Sequence, residues 1–304
     1  MSSPVIEGVV PILVTPFFED GRIDEESLAS LIDFNIAAGV HALGVALGSE
    51  VFKFTETERL QMIRCVVKSV NGRVPVIINT GATGTDLGVH YARMAADAGA
   101  DALMVMPPTF FPVGADEILD YYKAVSKAVG IPLILQDIPQ APISPGLALK
   151  IADQCENVEY IKVETLPVTQ KVADMAAAVK GRLTIFGGAG GAYFIEELRR
   201  GARGTMPFCS QPREFVDVWD LFNKGDIAGA RKVFDASFVG INRVSGQGGD
   251  LFYHVHKQLL VRRGVIRSAF VRSPTVRIDP LTQREIDEML AGIVATPVAF
   301  AGRS

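Results

Sequence analysis

Short apolar runs rich in β-branched residues alternate along this chain with longer stretches of helical periodicity. The runs Val9–Val14, Ala42–Ala46, Val74–Asn79, Ala102–Met106, Leu133–Gln136, Tyr160–Val163, Leu183–Phe186 and Gly204–Met206 are apolar on both faces. Parallel strands covered on both sides read this way. Between them, Glu25–Ala38, Glu56–Val70, Leu87–Ala98 and Ala115–Val129 place their apolar residues at helical spacing. Gly39, Gly99 and Gly130 follow three of these stretches, where a left-handed residue ends a helix. Successive strand-then-helix units of roughly 25 residues each predict an α/β fold, a (β/α)8 TIM barrel. A doubly wound open sheet is the structural runner-up, but no phosphate-binding fingerprint accompanies the units.

After about residue 210 the pattern turns helical throughout, in Glu214–Asn223, Asp226–Asn242, Leu251–Arg263 and Gln283–Leu290. No low-complexity tract separates the two parts. Residues 1–210 therefore read as the barrel, and 211–304 as a small C-terminal helical appendage packed on it. Of the 304 residues 48% are hydrophobic, which indicates a large core. No run reaches the about 20 apolar residues that a bilayer requires. A net charge of −4 without basic stripes argues against nucleic acid or membrane partners. Met1-Ser2-Ser3-Pro4 lacks the basic and apolar segments of a secretory leader, and Cys65, Cys155 and Cys209 show neither disulfide nor metal spacing. A cytoplasmic location with no bound metal is the expectation.

One charge interrupts this pattern in a telling place. Lys162 stands inside Val158-Glu159-Tyr160-Ile161-Lys162-Val163-Glu164-Thr165, an otherwise strand-like run. Burying an ammonium is costly unless it is paired or neutral. A neutral amine attacks ketones, so the functional reading is a Schiff-base lysine. The plainer reading is a strand-end lysine that reaches solvent or pairs with Glu164. Barrel active sites lie at the C-terminal ends of the strands. That rule singles out Thr15, Leu47–Glu50, Pro107–Phe111, Gln136–Pro139, Lys162–Thr165 and Gly187–Gly191, and places Lys162 at the end of the sixth strand.

From Gly8 to about residue 290 the chain resembles the family of dihydrodipicolinate synthase, N-acetylneuraminate lyase and the 2-keto-3-deoxy sugar acid aldolases and dehydratases. The resemblance is carried by Val10-Pro11-Ile12-Leu13-Val14-Thr15-Pro16-Phe17 with Asp20-Gly21, and by Gly48-Ser49-Glu50 with Thr55 and Glu58-Arg59. Tyr160-Ile161-Lys162 and Gly201-Ala202-Arg203-Gly204-Thr205-Met206 extend it. It implies that Lys162 is the nucleophile. Departures from the family pattern are equally informative. The family's catalytic tyrosine aligns with Gln136, and the tyrosine lent across a subunit interface in the synthases aligns with Phe110. The hydroxyl pair that binds carboxylate aligns with Leu47-Gly48, leaving Ser49 as a substitute one residue on. No arginine follows Pro139 at the place where the synthases hold their second carboxylate. These losses argue against synthase activity. With Asn242-Arg243 and Ser245-Gly246, the set is most similar to the L-2-keto-3-deoxyarabonate dehydratase-like members.

A glutamine cannot titrate, so Gln136 can orient a hydroxyl but cannot take the proton that a retro-aldol cleavage releases. Dehydration needs a proton carrier near C3 and C4 of the substrate instead. Glu164 lies two residues beyond Lys162, on the same strand face, and is the expected carrier; the alternative is a solvated or charge-pairing residue. Gly48, Ser49 and Glu50 are expected to bind substrate, with backbone N–H groups and the Ser49 hydroxyl cradling its carboxylate. Phe110 is expected beside the substrate, as are Gly187 and Gly188 of the glycine-rich turn after strand seven. Asp137 reads as structural. His254 and His256 fall on different faces of a helix and do not suggest a metal site.

Taken with the resemblance, these residues imply a Schiff-base lyase of a 2-keto-3-deoxy sugar acid, in the first place a dehydratase. The alternatives are a pyruvate-releasing aldolase and a catalytically inactive sugar-acid-binding barrel. No cofactor is expected, because the lysine itself supplies the electron sink. A homo-oligomer, tetramer or dimer, is expected through Pro107–Val113 and the helical tail.

Overall fold

The structure is a computed structural model and describes residues 5–294. Met1–Pro4 and residues 295–304, which bear on the expected lack of a leader and on the end of the expected C-terminal region, lie outside the described residues. The strands are β1 (Gly8–Val9), β2 (Leu43–Val45), β3 (Val76–Asn79), β4 (Ala102–Val105), β5 (Leu133–Asp137), β6 (Val158–Val163), β7 (Thr184–Gly187) and β8 (Gly204–Thr205). All pair in parallel with their sequence neighbours from β2 through β8, and β8 pairs with β1. The ring closes between β1 and β2 through Gly44 N to Pro11 O (2.9 Å), Leu13 N to Gly44 O (2.8 Å) and His41 N to Val9 O (2.9 Å). The protein is thus a (β/α)8 TIM barrel. The apolar run Val9–Val14 forms a regular ladder only at its start and continues as single bridges from Ile12 to Gly44 and Phe208. Pro11 has no N–H to donate, which interrupts the ladder at that point.

Helices α1 (Glu25–Ala37), α2 (Glu56–Val70), α3 (Thr85–Asp97), α4 (Ala115–Ala128), α5 (Pro145–Gln154), α6 (Val168–Val179) and α7 (Phe194–Leu198) follow the first seven strands. Local chemistry sets their ends. At α2, Thr55 Oγ1 accepts from Glu58 N (3.3 Å) while Glu58 Oε2 accepts from Thr55 N (2.9 Å), a reciprocal cap, and Asn71 closes the helix in the left-handed region. Helix α8 (Pro212–Asn223) follows β8 and packs against β1 as the eighth helix of the ring. Beyond it, α9 (Ile227–Ser245) packs on α8, and α10 (Leu251–Arg262) and α11 (Pro280–Val294) pack on α9. Among the described residues no helix is long and apolar enough to cross a membrane.

Strand alternation divides the apolar residues into two layers. Ile161 and Val163 face the helices and join the large core between sheet and helix ring. Ile77, Met104, Ile134, Tyr160 and Phe186 belong to a separate cluster that fills the barrel interior. Residues i and i+2 share a strand face. Gln136 therefore stands above Ile134, and Lys162 above Tyr160, at the mouth of the filled barrel.

A buried ionic network draws α10 over that mouth. Glu50 and Lys257 are wholly buried and pair at 2.5 Å, with Lys53 Nζ 3.2 Å from the second Glu50 oxygen and Arg272 N donating to it at 3.3 Å. Arg272 in turn binds Gly21 O (2.6 Å) and Glu58, joining the segment after α10 to the start of α2. Two desolvated charges are tolerated here because each meets an opposite charge and further hydrogen bonds.

Candidate active site

The end of β6 places Lys162 in the barrel mouth, its side chain only 7% exposed and its amine 2.9 Å from Glu164 Oε1. Glu164 sits just past the strand and is held from three sides. Ala189 N donates to its Oε1 (3.2 Å), Gln136 Nε2 donates to its Oε2 (3.3 Å), and Asp137 O accepts from its backbone N–H (3.1 Å). Gln136 is held in turn, its Oε1 accepting from Asn79 Nδ2 at 2.9 Å. An Asn79–Gln136–Glu164–Lys162 chain therefore crosses the mouth from β3 to β6. Asp137 does not join it. Its carboxylate accepts from Ile143 N (2.8 Å), Thr165 N (3.1 Å), Thr165 Oγ1 (2.7 Å) and Lys171 (2.6 Å), which clamps the loops after β5 and β6.

Glycines Gly187 and Gly188 serve the site by leaving room. A methyl group at Gly188 would overlap Glu164 Cγ, and one at Gly187 would overlap the carboxylate of Glu197. The cavity is lined instead by the next residues of that turn, Ala189 and Gly190. Glu197 is wholly buried on α7, and neither carboxyl oxygen has a hydrogen-bond partner among the described residues. Burial first, then the negative charges of Glu164 and Glu196, push its carboxyl up to about 8, against the pull of Lys162.

The cavity above Lys162 measures about 550 Å³, within the range of small-molecule sites. Gly48 and Gln136 line it with Lys162 and Glu164, whereas Ser49, Glu50 and Phe110 do not. The Ser49 hydroxyl donates to Leu13 O inside the wall and accepts from Ala46 N (3.1 Å), so it has no free proton for a carboxylate. Glu50 is turned into the ionic network beneath α10. Phe110 is 74% exposed and meets Phe111 edge to face at 5.0 Å, outside the cavity. Of the expected site residues, Lys162, Glu164, Gln136 and Gly48 thus line the cavity.

Part of the cavity wall comes from the C-terminal helices. Asn242 and Ser245 of α9 and Tyr253 and His256 of α10 line the cavity, with Tyr193 from the turn before α7. Tyr253 donates to Leu47 O at 2.5 Å, and burial raises its phenol above the ordinary tyrosine range. His256 stacks on Phe208 (4.1 Å), bonds Ser210 Oγ through Nδ1 (2.7 Å), and is pushed down to about 3 by burial, which keeps it neutral. His254 pairs elsewhere, with Thr275 Oγ1 at 2.7 Å. Nothing in the sequence spacing relates these residues to Lys162. For Tyr253 and His256 the available signal was their placement on a helix whose apolar face had no assigned partner. Among the described residues no group of three or more His, Cys, Asp or Glu could hold a metal ion.

The family described as the dihydrodipicolinate synthetase family matches residues 5–293. An L-2-keto-3-deoxyarabonate dehydratase of Azospirillum brasilense is 30% identical over 295 residues, 94% of either chain. A 4-hydroxy-tetrahydrodipicolinate synthase of Psychrobacter sp. is 33% identical over 238 residues, 76% of this chain and 78% of that one. Among solved structures, a prophage protein of the dihydrodipicolinic acid synthase family from E. coli K12, in complex with pyruvate, superposes with a TM-score of 0.88 at 25% identity, covering 96% of this chain and 99% of that one.

Proposed function

This chain belongs to the dihydrodipicolinate synthetase family, and we propose that it is a Schiff-base lyase that dehydrates a 2-keto-3-deoxy sugar acid, a pentonate of the deoxyarabonate type in the first place. One observation carries the reading: the carboxylate beside Lys162 is held by a glutamine and a backbone N–H, and not by a phenol. In this scheme Glu164 accepts a proton from Lys162, and the free amine adds to the C2 ketone. Glu164 then gives that proton to the carbinolamine hydroxyl, and its departure as water leaves a carboxylate at Glu164 and a protonated imine that acidifies C3. Glu164 then takes a proton from C3 and returns it to the departing 4-hydroxyl, which leaves as a second water. Loss of a C5 proton and return of a proton to C3 give the enol of the terminal aldehyde. Hydrolysis releases the product and restores Lys162, so the carbon chain stays whole. Gln136 and Asn79 hold Glu164 in place through this sequence and undergo no protonation change themselves.

The similarity to a deoxyarabonate dehydratase supports this choice, while similarity to synthases supports only the shared lysine chemistry. A pyruvate-releasing cleavage is the second reading, favoured by Tyr253 and Tyr193, phenols that reach the cavity from other elements. Against it, Tyr253 is bound to Leu47 O and disfavours ionisation. Assembly as a homo-oligomer belongs to the same proposal, with exposed Phe110 and Phe111 as its contact residues.

Borohydride trapping with 2-keto-3-deoxy acids, followed by mass spectrometry of protein and products, tests the reading. A reduced adduct on Lys162 with an intact carbon skeleton is the expected result. Glu164→Gln is expected to lower turnover by roughly 10²–10⁴-fold with trapping retained. Pyruvate plus an aldehyde among the products would favour cleavage, and no adduct would leave only a binding barrel.

A further inference from the structure

The part of the cavity wall supplied by α9 carries two polar groups that the dehydration scheme does not use. Asn242 and Ser245 stand three residues apart in the last turns of α9, on one helix face, and both line the cavity. The Ser245 hydroxyl is buried without a hydrogen-bond partner among the described residues, and the half-buried Asn242 lines the cavity beside it. A buried polar group left unpaired destabilises a fold unless something meets it. The cavity is where that something can enter.

Charge narrows what it can be. Among the described residues Lys162 is the one cationic side chain lining the cavity and Glu164 the one carboxylate, and both belong to the reacting end. His256, the remaining titratable nitrogen in the wall, is buried and engaged by Ser210. Arg243 lies between Asn242 and Ser245 in sequence but faces solvent rather than the cavity. A second carboxylate or a phosphate at this end would find no counter-charge. An alcohol would: an amide and a hydroxyl both donate and accept hydrogen bonds, as an alcohol does.

We propose that Asn242 and Ser245 form a subsite for the hydroxyl at the end of the substrate chain remote from the ketone. The inference rests on the Schiff-base reading of Lys162 and sharpens it. The preferred ligand is a 2-oxo-3-deoxy acid with an uncharged, hydroxylated tail, read by α9 while β6 holds the reacting carbons. The helices beyond the barrel thereby set specificity, and the barrel strands set chemistry.

Trapping separates the two claims because it needs no turnover. Half-saturating concentrations for borohydride-trapped adduct are measured for the wild type, Asn242→Ala and Ser245→Ala with four probes: pyruvate, 4-hydroxy-2-oxopentanoate, 2-keto-3-deoxypentonate and 2-oxoglutarate. In the wild type the pentonate, which alone carries the terminal hydroxyl, is expected to trap at the lowest concentration, and 2-oxoglutarate poorly. Each variant is expected to weaken the pentonate by about 3- to 10-fold, the worth of one neutral hydrogen bond, and to change pyruvate and 4-hydroxy-2-oxopentanoate by less than about 2-fold. Equal weakening of all probes, no weakening of the pentonate, or 2-oxoglutarate trapping as tightly as the pentonate would overturn the subsite while leaving Lys162 chemistry intact. Absence of any adduct in the wild type would overturn both claims.

Discussion

Replacing Glu197 by glutamine should change how the stability of this protein depends on pH more than it changes stability itself. Glu197 is buried between β7 and α7 with both oxygens unpartnered among the described residues, and its carboxyl is pushed up to about 8. In the unfolded chain it titrates near 4.5. Between those values the folded state keeps a proton that the unfolded state has released, so the slope of unfolding free energy against pH is negative. The contribution is complete below about pH 4.5 and is lost as pH rises through 8. A tenfold change in proton affinity corresponds to about 1.4 kcal/mol, so the whole window is worth on the order of 3–5 kcal/mol. Glutamine keeps the shape and removes the titration. It remains a buried, unpartnered amide, so at pH 5 the two proteins should differ by no more than about 1–3 kcal/mol.

The discriminating measurement is the trend. Urea unfolding at pH 5, 6.5, 8 and 9 should show the wild type falling relative to Glu197→Gln by that order of magnitude across the series. Parallel stability profiles would refute the assignment of Glu197 as a buried acid that is neutral at pH 7. Glu164 and Lys162 are among the charges that Glu197 feels. A limb near pH 8 is therefore expected in the rate of adduct trapping, and it should disappear in the variant.

Two further substitutions probe the supports of the site. Gly188→Ala places a methyl group on Glu164 Cγ, and displacing the carboxylate should cost roughly 10²-fold in turnover while Lys162 still forms its adduct; turnover within about 2-fold of wild type would show that Glu164 needs no fixed position. Lys257→Met leaves buried Glu50 with Lys53 and the Arg272 backbone as its remaining partners, at an expected cost of about 3 kcal/mol in urea unfolding. Adding Glu50→Gln to that variant should recover part of the loss, and no recovery would remove the ionic pair as its cause.

Alternation and spacing carried the reading of the fold a long way because they are local properties. The apolar runs mark β2 through β8 to within a residue or two, while β1 ends well short of its run, and the strand β6 sets the parity that turns Lys162 inward above Tyr160. The Glu164 position follows from the same parity, and the Asp137 clamp involves adjacent loops. Pro11 shows the limit of hydrophobicity alone: the run continues through it, but the hydrogen-bond ladder cannot.

What sequence determined by itself was thus the order of elements, the barrel they close into, and which strand end bears the amine. Tertiary structure alone decided where the polar side chains outside β6 point. Ser49 looks like a substrate ligand until β1 supplies Leu13 O as its acceptor, and Glu50 until α10 brings Lys257 across 207 positions of chain. Asn242, Ser245 and Tyr253 acquire their place only because α9 and α10 fold back over the mouth. The physical reason is reach. Backbone periodicity relates neighbours a few residues apart, whereas a hydrogen bond or ion pair between distant segments exists only after packing has brought the segments together.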